Sequence, residues 1–262
     1  MSSEPPLVLP AYATELVERA TQQSGFPLHV EERGGIGYDS ILKFGTRERS
    51  FHEVSYVPLY RGYRIHFIVN AARKILRFWE APLEDRLVPA YERGRGLPQQ
   101  DLRDLRQKVP ENAPEHVLEE LSTFLYEGLT RQLTSMPLDL RIERELHVLL
   151  PDHRPLQREY LERQRRDIEV LFHPGMAEVS PRRLYGASTA MNVVLADEVA
   201  EMTGLPSGSF LEASHYRSEG KRLGEILREV TEPGIRGDRI VTDRWAQELE
   251  MEDWYVWRKY DD

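Results

Sequence analysis

Apolar positions recur at helical spacing through residues 11–24, AYATELVERATQQS, and stop at Gly25. That pattern predicts an amphipathic helix closed by glycine. FPLHVEER (26–33) and YDSILKFG (38–45) alternate apolar with polar residues, which predicts two strands. GGIG between them supplies a hairpin turn. SFHEVSYV (50–57) reads as a third strand, ended by Pro58. RIHFIVNAARKILRFW then returns to helical spacing from Arg64 to Trp79, with Ile65, Ile68, Val69, Ala72, Leu76 and Trp79 as its apolar stripe. A third of the way along, EAPLEDRLVPAYERGRGLPQQ carries neither period and is the best internal boundary. Beyond it the periodicity predicts helices over 99–108, 114–135, 138–150, 154–172, 181–203, 219–230 and 240–250. Pro110, Pro137, Pro155, Pro181 and Pro233 punctuate them.

The expected fold is α+β and mostly helical. A small N-terminal sheet packs on a central helix, and a helical bundle follows. A three-stranded sheet needs cover, and helices are the cover available. The expectation is a single globular unit over 1–262, with an α/β part in 1–97 and a helical part in 98–262.

Composition narrows the chemistry. There is no cysteine, which removes disulfides, thiol nucleophiles and cysteine-based zinc sites. The net charge of −9 disfavours association with phosphate backbones. ERQRRDIE and ERGRGLP are arginine clusters, and on a helix such as 154–172 arginine alternates with glutamate, as a solvated, self-paired face does. No apolar run reaches the ~20 residues needed to span a bilayer. MSSEPPLVLP lacks a basic stretch followed by an apolar one, so a cytoplasmic location is expected.

No complete catalytic motif is present. In FHEV, His52 and Glu53 belong to a strand and fall on opposite faces, and Tyr56 stands where a second metal-binding histidine belongs. RGGIGYDS precedes strand-like sequence, unlike a phosphate-binding loop. Ser188 and Ser207 lack the Gly-x-Ser-x-Gly setting of a hydrolase nucleophile. The eight histidines show no i, i+4 ligand spacing.

The Arg64–Trp79 helix poses the sharpest question, because His66, Asn70, Lys74 and Arg77 line one side of it. The plain reading is a solvent-facing polar stripe. A second reading comes from FHEVSYVPLYRGYRIHFIVNAARKILRFW, which resembles the strand-then-active-helix segment of uncharacterised zincin-like putative metallopeptidases. TSMPLDLRIERELHVLLPDHRPLQ is similar to a later part of that pattern. The resemblance implies a His-Glu-x-x-His helix and a third ligand from a later helix. Here the two ligand positions read Asn70 and Lys74, and the general-base position reads Ala71. An ammonium offers no lone pair and alanine activates no water. Asp139 or Glu143 stands at the third-ligand place, and a lysine at an old ligand position is able to pair with it. Glu143 is the first choice and Asp139 the second.

On this basis the expected function is a non-enzymatic binding or regulatory protein on a metallopeptidase-like scaffold. It would hold no cofactor and no zinc, and would dock an unknown protein through the 80–98 segment or the aromatic C-terminus DWYVWRKY. One alternative is a hydrolase with an unconventional metal site built from His52, His66 and His147. Another is a nucleic-acid-associated protein.

Overall fold

The computed structural model describes residues 7–35, 39–92, 94–205 and 215–260. The fold is mostly helical α+β, as the periodicity predicts. Its residues divide into two compact units. One takes the chain up to Arg86, then Ile142–Tyr160, then the end from Lys259. The other takes Leu87–Arg141 and Leu161–Arg258.

The first unit opens with α1 (Ala11–Ser24), which buries Ala13, Leu16 and Ala20. It ends where Gly25 takes a left-handed φ of 77° and returns its N–H to Thr21 O at 2.8 Å. A side chain there would be strained, so glycine is the natural stop. Three strands follow: β1 (Leu28–Glu32), β2 (Ser40–Lys43) and β3 (His52–Tyr56). Their order in the sheet is β1-β3-β2, with β1 parallel and β2 antiparallel to β3.

The expected hairpin between β1 and β2 is therefore wrong. Gly34 and Gly35 turn the chain, but β3 lies between the two strands they connect. Ile36 and Gly37 of that turn are outside the described residues. Local turn chemistry sets where a chain reverses. Pairing is set by which strand gains most from the middle. β3 is that strand: His52, Val54 and Tyr56 are buried on one face, and Glu53 sits on the other, 2.7 Å from Lys43.

The buried face is covered by α2 (Arg64–Trp79). Ile68, Val69, Ala72, Leu76 and Trp79 form its buried stripe, none more than 5% exposed. The helix also packs along α1. Phe44, Phe78 and Trp79 close one end, and Tyr260 stacks edge-on against all three while donating to Gly45 O.

In the second unit β4 (Leu87–Ala90) pairs with β5 (Val256–Lys259). Pro89 within β4 is tolerated in a ladder of only two strands. The helices are α3 (Gln99–Lys108), α4 (Glu115–Leu149), α5 (Arg154–Glu169), α6 (Pro174–Val179), α7 (Arg182–Thr203), α8 (Arg217–Glu229) and α9 (Gly234–Glu248). α4 and α5 each give part of their length to the first unit.

Two helices expected over 114–135 and 138–150 are one, with Pro137 inside it. An interior proline costs about 3 kcal/mol. Leu133 and Leu140, 0% and 2% exposed on either side of it, supply the burial that carries the helix through. α9 starts at Gly234, six residues before the expected 240, directly after Pro233. Trp254 is 1% exposed, stacked on Tyr126 at 5.0 Å with the Arg183 guanidinium 5.2 Å from its ring. Among the described residues, no helix is long and apolar enough to cross a membrane.

Candidate functional site

The polar side of α2 faces protein, not water. His66 is 1% exposed and Arg77 7% exposed, while Asn70 and Lys74 are half-buried. The plain solvent-stripe reading therefore fails for this helix. The amphipathic pattern misleads because α2 is covered on more than its apolar side.

At the centre is Glu143 of α4, buried to 5% exposure. Its Oε1 accepts from Asn70 Nδ2 at 2.7 Å and lies 3.1 Å from His66 Nε2. Its Oε2 accepts from Gln157 Nε2 at 2.7 Å. Gln157 also donates to Glu143 O at 2.8 Å, and its Oε1 is 3.1 Å from His147 Nδ1. The amide orientation of Gln157 then requires His147 to carry its proton on Nδ1. Burial alone would raise the Glu143 carboxyl. The His66 imidazole, with Gln157 and Asn70, outweighs it and holds the group down at about 2. Glu143 is thus a buried carboxylate with both oxygens engaged, the condition under which a buried charge is tolerated.

The chain of contacts continues outward. His66 Nδ1 lies 3.0 Å from His153 Nε2, and the two rings are within 2° of parallel. His153 Nδ1 lies 3.2 Å from the Tyr12 hydroxyl on α1. Burial and the charge on His66, against a smaller opposing effect from Glu143, push His153 down to about 4. It is a neutral ring with one donor and one acceptor. Tyr160 packs its ring 4.4 Å from His66 and donates to Asp39 Oδ2 at 3.1 Å. Five segments of the chain therefore meet at one polar core: α1, α2, α4, the turn Pro151–His153 and α5.

The residues singled out on sequence grounds sort as follows. His66, Asn70 and Glu143 are in direct contact. Ala71 is buried, 3% exposed. Lys74 sits one turn beyond Asn70, and the charge that acts on Glu143 is that of His66. Asp139 lies one turn before Glu143 on α4, in the part assigned to the second unit. Arg77, with Arg73, binds a different acid: Glu145 accepts from Arg73 Nη2 at 2.5 Å and from Arg77 Nη1 at 2.7 Å. His153, Gln157 and Tyr12 escaped the sequence reading. The one usable signal was the i, i+4 spacing of His153 and Gln157.

The arrangement does not fit a zinc ion. Asn70 turns its amide nitrogen, a donor, toward the carboxylate, and the residue one turn on, Lys74, has no lone pair to offer when protonated. Among the described residues no group of three or more histidine, aspartate or glutamate side chains is arranged to hold a metal. His52 is committed elsewhere. Its Nδ1 accepts from Gly45 N–H at 2.9 Å, so the ring proton is on Nε2 and points to Ser24 Oγ at 2.9 Å. That tautomer cannot accept the serine proton, so the Ser24–His52 pair is no nucleophile and base. Burial and nearby Arg49 press His52 down to about 4.

Compared with known protein families, curated proteins and solved structures, the chain gives no match.

Proposed function

We propose that this chain is a cytoplasmic, non-enzymatic binding or regulatory protein that retains the layout of a zincin metallopeptidase without its chemistry. The supporting observation is the pairing of Asn70 with Glu143 at 2.7 Å. The resemblance puts a metal ligand at position 70 and a third ligand at Asp139 or Glu143. In this chain Asn70 bonds to Glu143, and His66 and Gln157 take the remaining capacity of the carboxylate. The element order of a helix, three strands, a helix with a polar side, and a later helix bringing an acid to that side also suits this reading. A buried carboxylate whose metal is lost needs a replacement charge and donors, and His66, Asn70 and Gln157 supply them.

The two segments expected to dock a partner are used within the chain. Residues 87–90 pair with 256–259, and Trp254 is buried.

The test is metal content after equilibration with zinc and dialysis. The wild-type chain is expected to hold well under one equivalent. The triple variant Asn70→His, Ala71→Glu, Lys74→His is expected to hold one, with its fold checked by circular dichroism. A wild-type chain that keeps one zinc, and loses it on Glu143→Gln, would overturn the proposal in favour of a metal-dependent hydrolase.

A further inference from the structure

β1 is at the edge of the sheet, and among the described residues no strand pairs with its outer side. The parallel ladder fixes which of its groups face outward. His52 N–H bonds to Pro27 O, and Arg33 N–H bonds to Tyr56 O. The odd-numbered residues of β1 therefore turn their main-chain groups to β3. The groups of Leu28, Val30 and Glu32 point away, and among the described residues they meet no partner. Val30, at the centre, is 39% exposed, and His29 and Glu31 beside it are exposed as well. An open row of donors and acceptors around an exposed valine is a template for another strand.

We propose that a second copy of this chain docks antiparallel along β1, on a twofold axis through Val30. The register follows from parity and charge. Hydrogen-bonded pairs must join outward-facing residues of both copies. Centring on Val30 pairs Val30 with its counterpart and Leu28 with Glu32, and it overlaps the whole strand. On the outer face it places His29 opposite Glu31 of the other copy, twice by symmetry. A shift of two residues toward the C-terminus sets Glu31 against Glu31. The opposite shift sets His29 against His29 and leaves Glu31 unopposed. The acids that protect many edges here select one register. Five residues a side form a small interface, far below that of a permanent dimer, so the association is weak and concentration-dependent. It does not rest on the state of the Glu143 site.

Sedimentation velocity over roughly 10 µM to 1 mM, the range expected for a small transient interface, tests it. The wild-type chain is expected to shift reversibly from monomer to dimer. Val30→Pro removes an outward N–H and no bond within the sheet, and should weaken the dimer at least tenfold with the melting temperature nearly unchanged. His29→Glu should weaken it similarly, and the exchange His29→Glu with Glu31→His should restore it. Phe124→Ser, at an exposed apolar site on α4, should change nothing. A monomer throughout the range overturns the proposal. So does a dimer indifferent to Val30→Pro, or an exchange variant no better than His29→Glu alone.

Discussion

Replacing His66 by Phe removes the imidazole that bonds Glu143 Oε1 at 3.1 Å while keeping a ring of similar size in the space between Phe67, Tyr160 and His153. The carboxyl is held at about 2 in place of 4.5. That difference corresponds to about 3 kcal/mol of preference for the charged form in the fold. Breaking one side of a buried pair typically costs about 3–5 kcal/mol, because the remaining charge is left without compensation. His66→Phe is therefore expected to cost about 3 kcal/mol near neutral pH, read from urea unfolding by circular dichroism. Glu143→Leu should cost a similar amount by removing the side-chain acceptor of Asn70, Gln157 and His66. The double variant should cost clearly less than the sum, with a coupling of about 2 kcal/mol. Added salt should leave the coupling intact, since the pair is buried. Strict additivity, or a His66→Phe cost under about 0.5 kcal/mol, would refute the claim that this contact holds the site together.

Acid should destabilise the first unit well above the range in which Glu143 protonates. His52 and His153 are depressed from 6.5 to about 4, so the unfolded chain takes up their protons first. Their contribution is complete above pH 6.5 and is lost as pH falls toward 4, about 3 kcal/mol for each. His153→Gln should flatten the slope of melting temperature against pH in that window. Truncation before Asp253 removes the buried Trp254 and the strand that pairs with β4, and should cost at least about 3 kcal/mol by chemical denaturation. Gly237→Ala would place a Cβ 1.9 Å from Glu232 O, and the added strain should lower stability by about 2 kcal/mol in the same assay.

What the sequence discloses depends on whether the signal is local. The Gly25 stop, the alternation in 52–56 and the apolar stripe of α2 are each decided within a few residues, and each lies where expected. The position of β3 between β1 and β2 is decided by burial under α2, which no turn residue encodes. Pro137 looks like a boundary because its cost is local, while the burial of Leu133 and Leu140 that offsets it is tertiary. The site divides the same way. Glu143 was within reach of the sequence as one of two acids, with Asp139, on a later helix. Its charge partner was not. Lys74 lies one turn beyond Asn70, yet the largest effect that lowers the Glu143 carboxyl comes from His66, one turn before Asn70 on the same helix. An imidazole with two ring nitrogens is able to bond Glu143 on one side and His153 on the other. An ammonium has a single nitrogen, whereas an imidazole holds two in fixed directions on one rigid ring, so one reaches Glu143 while the other reaches His153. A chain of contacts running from a buried carboxylate to Tyr12 on another helix needs a residue of that kind at its second position.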